Sequence, residues 1–132
     1  MSVPTGQRNE STMMFLSNAR ELVLYTLQKT KKWPQRWRHD VASPLVTDAR
    51  YIYTEVKRGN NLWPTNAYEA QMRRAHFLNA RGAADGMVAN IEVACELVQK
   101  GDKVLHEWSA LAANEIKYIN GVLEKDKARF RF

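Results

Sequence analysis

Apolar residues recur along this chain at steps of three and four through four segments, and short breaks at residues 32–40, 59–65 and 100–102 separate them. That spacing fits a helix of about 3.6 residues per turn and not the alternation of a half-buried strand, so the fold class is all-α. In the first segment Phe15, Leu16, Ala19, Leu22, Val23, Thr26 and Leu27 share one arc, while Asn18, Glu21, Gln28 and Lys29 lie outside it. A helix over residues 12–31 is predicted, with Ser11 as its N-cap. In the second, Val41, Leu45, Ala49, Ile52 and Val56 form the stripe, with Asp48, Arg50, Tyr51, Glu55 and Arg58 facing away. Pro44 is compatible with a helix there if Asp40 or Ser43 caps it, because a first-turn residue needs no amide hydrogen.

The third helix is expected to begin at Asn66, which has Glu69 three residues on, and to reach about residue 99. It carries two faces. One holds Phe77, Ala80, Ala84, Met87, Val88, Ile91, Cys95 and Val98. The other holds Ala75, Gly82, Gly86, Ala89 and Val93. Glycine inside a helix costs up to about 1 kcal/mol relative to alanine, so two in one small-residue stripe suggest close approach by another helix, within the bundle or from a neighbouring subunit. A break at Gly82 is the competing reading. The fourth helix, capped by Asp102 and ending near Glu124, presents Val104, Leu105, Trp108, Leu111, Ala112, Ile116, Ile119, Val122 and Leu123. Glu115 falls in the middle of that stripe and is expected to be structural, paired with an arginine or an asparagine such as Asn79 or Asn90 of the third helix. Short connections make an antiparallel up-down-up-down four-helix bundle the natural architecture, assembled as a homo-oligomer through the small-residue face. The chain then divides into an N-terminal segment (1–11), the bundle (12–124) and a basic tail (125–132).

At 132 residues, 45% hydrophobic and 26% charged, the chain has the size and balance of one globular domain. Cys95 is its single cysteine, which rules out an intramolecular disulfide and makes the cytoplasm the expected compartment. The first 11 residues lack an apolar signal core, and no run approaches the ~20 apolar residues of a spanning helix, so neither export nor membrane insertion is expected. Dedicated chemistry is not legible. His39, His76 and His106 have no metal-binding spacing, Arg73 and Lys103 stand where a Glu-x-x-His di-iron motif needs glutamates, and no glycine-rich phosphate loop is present. No enzymatic activity, metal or cofactor is expected.

The net charge of +6 is local. Residues 29–38 hold five cations (Lys29, Lys31, Lys32, Arg36, Arg38) and no acid, and residues 125–132 hold four (Lys125, Lys127, Arg129, Arg131) against Asp126. The rest of the chain, with 11 basic and 13 acidic residues, is slightly negative. Trp33 and Trp37 interleave with the first cluster. Cations for phosphates beside rings that stack on unpaired bases are what single-stranded nucleic-acid binders need. The competing assignment has both tryptophans plugging the end of the bundle. In an up-down arrangement Lys100 and Lys103 join the first cluster, Lys57 and Arg58 join the tail, and both ends are positive.

Four stretches also resemble a known group. Residues 24–38 read Leu-Tyr-Thr-Leu-Gln-Lys-Thr-Lys-Lys-Trp-Pro-Gln-Arg-Trp-Arg; Met-Arg-Arg-Ala follows at 72–75, Ile-Glu-Val-Ala-Cys-Glu-Leu at 91–97 and Asn-Glu-Ile-Lys-Tyr-Ile-Asn-Gly at 114–121. Together they resemble the small four-helix-bundle proteins that include the accessory variability determinants of diversity-generating retroelements and the proteins encoded in intervening sequences of bacterial 23S ribosomal RNA genes. Trp33-Pro34 with Arg36-Trp37-Arg38, and the Glu115 to Gly121 spacing, carry most of the likeness. The resemblance implies a homopentamer with a basic surface that binds template RNA and, in retroelements, a reverse transcriptase needed for mutagenic copying. A structural oligomer or protein-interaction scaffold without nucleic-acid binding is the alternative.

Overall fold

The computed structural model describes residues 13–98 and 101–132. The expected N-cap Ser11, the 1–11 segment and Lys100 lie outside them. Among the described residues the chain is helical and contains no strand. Helix α1 (Met14–Thr30) is followed by a single helical turn, α2 (Gln35–Trp37), which runs through a π-helical segment (Arg38–Ala42) into α3 (Ser43–Asn61). Helices α4 (Ala67–Leu97) and α5 (Asp102–Arg129) complete the chain. Helix α1 packs on α3 and α5, and α4 also packs on α3 and α5, so four long helices enclose one core.

Each long helix buries the stripe its spacing predicts. Phe15, Ala19, Leu22 and Thr26 of α1 face Leu45, Ala49, Ile52 and Val56 of α3, Phe77, Ala80, Ala84, Met87 and Ile91 of α4, and Trp108, Ala112, Ile119 and Leu123 of α5 across a common core. The third helix starts as expected. Asn66 Oδ1 accepts the Glu69 amide at 2.9 Å, and the Glu69 carboxylate accepts the Thr65 amide at 2.8 Å and the Thr65 hydroxyl at 2.6 Å. It continues unbroken through Gly82 and Gly86.

Three local expectations are corrected. Neither Asp40 nor Ser43 caps the second long helix, because the backbone is already helical from Gln35 and no side chain caps α3. Pro44 does fall in the first turn of α3, as expected, but a π turn and not a capping side chain precedes it. A proline ring clashes with the carbonyl four residues back, here Asp40, and the Ser43 amide bonds to Arg38 five residues back. Gly101, not Asp102, occupies the N-cap of α5, and that helix runs to Arg129, past the expected end at Glu124. Glu55, placed on the outer face by its wheel position, is buried: it takes hydrogen bonds from Arg58 at 2.9 Å and Asn79 at 3.5 Å and meets His76 Nδ1 at 2.9 Å.

Glu115 is fully buried on the α5 stripe, as its position requires, but its partner differs. It is an asparagine, but from α1 and not from the third helix: Asn18, in place of Asn79 or Asn90, donates Nδ2–H to Glu115 Oε1 at 3.0 Å and to the Leu111 carbonyl at 2.9 Å. Asn18 sits at the edge of the α1 arc, where a short amide reaches inward across α5. Glu115 Oε2 is buried with no hydrogen-bond partner among the described residues.

Candidate nucleic-acid interface

The stretch after α1 is built around a buried ring. Trp33 is 1% exposed and lies edge-on to Trp108, with centroids 5.9 Å apart. Trp108 is itself anchored, donating Nε1–H to Thr26 Oγ1 at 3.0 Å. The two indoles close this end of the core, so Trp33 offers no face to a base: the stacking role is corrected, and the competing assignment as a plug of the bundle end holds for Trp33. Trp37 is half-buried against the same core, with the Arg36 guanidinium 5.2 Å from its ring. Arg38 spends one donor on the fold, giving Nε–H to the Trp33 carbonyl at 2.8 Å, while the residue remains exposed. Lys29 is half-buried over the Tyr25 ring at 5.2 Å, and Lys31, Lys32 and Arg36 are exposed. Among the described residues no carboxylate pairs with any of these five cations. Lys103 lies in the first turn of α5 and reaches Glu107 at 4.0 Å.

The second basic segment belongs largely to a helix. Lys125, Lys127 and Arg129 lie in the last turns of α5, where positive charge complements the negative end of the helix dipole, and Arg131 follows it. Lys127 meets Glu124 at 3.5 Å and Arg129 meets Asp126 at 2.8 Å, while Lys125 and Arg131 are exposed. Behind them sits a residue whose structural role the sequence pattern does not announce. Arg73 of α4 is 3% exposed and holds this end together. It donates to both Asp126 oxygens, at 2.7 and 3.3 Å, and to the carbonyls of Gly59 and Leu62, at 3.0 and 3.3 Å. Those carbonyls close α3, where helical partners run out, so one guanidinium caps α3 and ties α4 to α5. Its guanidinium also lies 5.1 Å from the Phe77 ring centroid. The available signal was its position four residues before Phe77 on the buried α4 stripe.

The two basic segments do not meet. One packs on Trp108 and the other begins at Lys125, 17 residues further along α5, or about 25 Å at ~1.5 Å each. Ala75, Gly82, Gly86, Ala89 and Val93 all lie exposed on α4, and a Cβ added at Gly82 or Gly86 would meet nothing within 4 Å. The core of one chain leaves that face uncovered. Among the described residues no group of three or more His, Cys, Asp or Glu side chains could hold a metal ion, and no helix is long and apolar enough to cross a membrane.

Fold and site together define a helical-bundle protein with cations concentrated at two separated ends and one long helix bearing an open small-residue face. The chain matches no family model, no curated protein and no solved structure.

Proposed function

We propose that the protein is a non-enzymatic RNA-binding accessory protein, one that holds a template-type RNA and a reverse transcriptase together in the cytoplasm, as the resemblance to retroelement accessory proteins implies. The observation that carries the RNA-binding reading is the exposure of Lys31, Lys32, Arg36 and Arg38 with no carboxylate partner among the described residues. Such charges gain most when they meet phosphates and release counterions. Burial of Trp33 makes this end chiefly an electrostatic contact, with Trp37 partly open beside it.

An antiparallel bundle is the proposed topology. It is supported by the pairing of Asn18 with Glu115 and of Tyr25 with Glu107, and by the pairing of Arg73 near the start of α4 with Asp126 near the end of α5. Self-association, with a pentamer favoured, is proposed through the open α4 face.

The test is salt. If about four phosphates are neutralised per subunit, log affinity for single-stranded RNA falls with log salt at a slope near −3, about −0.7 per contact. Replacing Lys32, Arg36 and Arg38 together by glutamine flattens that slope while the helical circular dichroism stays unchanged. A protein that retains no RNA at low salt, alone or with a reverse transcriptase, refutes the reading and leaves the oligomeric scaffold, which the uncovered α4 face favours.

A further inference from the structure

The end of the molecule where α3 gives way to α4 carries rings that the core does not use. Trp63 is 61% exposed and Phe132 62% exposed. They are nevertheless held in place. Trp63 lies edge-to-face with Phe130 at 4.9 Å, and Phe130 is stacked with Phe132 at 6.4 Å, their planes 4° apart. Two guanidinium groups fix the first two of these rings: Arg129 lies 5.4 Å from both the Trp63 and Phe130 centroids, and Arg73 lies 5.8 and 5.5 Å from them, while Phe132 is held by Phe130. Asp126, the single acid of residues 125–132, accepts hydrogen bonds from both arginines, so its charge is already matched. Lys127, beside Phe130, is then opposed only by the exposed Glu124 at 3.5 Å, and Arg131, between Phe130 and Phe132 in the chain, is exposed with no carboxylate partner among the described residues.

The part of a ring left open to water gains nothing for the fold, and a ring already fixed by its neighbours loses little freedom when something flat lies on that open part. Flat, apolar-faced and negatively charged describes an unpaired nucleotide. A duplex hides its base faces, and an acidic peptide supplies charge without the planar surface. We propose that unpaired bases of single-stranded RNA stack on Trp63 and Phe132 while the adjoining phosphates meet Lys127, Arg129 and Arg131. This rests on the RNA-binding reading and moves base stacking to the end of the molecule opposite Trp33.

The experiment compares a single-stranded oligouridylate of about 12 nucleotides with a duplex of equal length, both titrated with the full chain. Trp63→Ala is expected to weaken single-strand binding by about 5- to 100-fold, the effect of losing one base–ring stack, with the salt slope and duplex affinity unchanged. Phe132→Ala shifts it in the same direction, and Trp63→Phe, which keeps a ring, retains most of the affinity. Should Trp63→Ala unfold, Trp63→Phe against Trp63→Leu makes the same comparison. Unchanged single-strand affinity in Trp63→Ala overturns the inference and leaves the RNA-binding reading intact. Equal losses on single strand and duplex also overturn it, since no stacking is then involved. So does a fall in particle mass at constant RNA affinity, which assigns the rings to self-association. Absence of any RNA binding by the wild-type chain removes both the reading and the inference.

Discussion

Two carboxyl groups, both buried, are treated oppositely by the residues around them. Burial pushes the Glu55 carboxyl up, but hydrogen bonding with His76, Arg58 and Asn79 outweighs it, and the group ends below its ordinary value. At Glu115 burial dominates: its pKa is pushed up to about 8, and the single bond from Asn18 offsets that only in part. At neutral pH Glu115 is therefore mostly protonated. The signs follow. The folded state holds a proton on Glu115 that the unfolded chain releases above about 4.5, so the contribution is fully present below that pH and is lost as pH rises through about 8. The contribution of Glu55 runs the other way, being present above about 4.5 and lost as pH falls below it. Glu115→Gln keeps the size and the acceptor for Asn18 but cannot ionise. We expect the wild type to lose stability relative to this variant between pH 5 and 8, by up to about 1.4 kcal/mol per pH unit, in urea unfolding at a series of pH values. Parallel curves would place the carboxylate in contact with water. The central position of Glu115 was legible because a wheel needs only local spacing. Its partner was not, because Asn18 lies at the edge of its own arc and only tertiary packing brings it in. Trp33 was legible only as two alternatives, since local spacing cannot choose between an indole set among cations for stacking and one plugging the bundle end, and packing against Trp108 decides for the plug.

At the scale of the helices, glycines that look alike in the sequence stand in opposite surroundings. Gly59 of α3 is buried, and a Cβ there would stand 2.8 Å from Phe77 Cε2. The Phe77 ring has little room to retreat, with Phe15 edge-on at 5.5 Å and the Arg73 guanidinium at 5.1 Å. Gly121 of α5 is exposed, and a Cβ there meets nothing within 4 Å. Alanine should therefore act with opposite signs. Gly59→Ala is expected to destabilise by about 1–3 kcal/mol through overpacking, and Gly121→Ala to stabilise by about 0.5–1 kcal/mol through the lower entropy of its unfolded chain. Thermal unfolding of the two variants beside the wild type checks both. Equal shifts would mean that α3 can move away from Phe77. What could be read at this scale was what local chemistry fixes. The Asn66 and Glu69 pairing marks a helix start without reference to anything distant, and the four stripes follow from period alone. The π turn before Pro44 was hidden, since it resolves a clash between proline and a carbonyl four residues back only after the chain is already helical from Gln35.

For the whole molecule, the open question is what lies against α4. The core takes up one face of that helix from Phe77 to Cys95, and Arg73 anchors its start, yet Gly82 and Gly86 point at nothing in the same chain. An isolated exposed helix gains from alanine in place of glycine, and it is indifferent to leucine apart from the cost of an apolar side chain in water. A face covered by another copy behaves differently, because close helix approach has no room for a branched side chain. Light scattering coupled to gel filtration should accordingly show a particle several times the chain mass for the wild type. Gly86→Leu should reduce that mass, whereas Gly121→Leu, on α5 and away from the small-residue face, should leave it unchanged. A monomer at micromolar concentration would refute the assembly. If the assembly forms, each subunit adds its own basic ends to one particle, and binding of a long RNA should then exceed that of a short one by far more than the number of sites, since neighbouring ends act at high effective concentration. Gly86→Leu separates the two contributions. It should abolish the advantage of the long RNA while leaving the short oligouridylate bound as before, because both basic ends, with Lys31, Lys32, Arg36 and Arg38 at one and Trp63, Lys127 and Arg131 at the other, are present in every subunit whether or not it has neighbours.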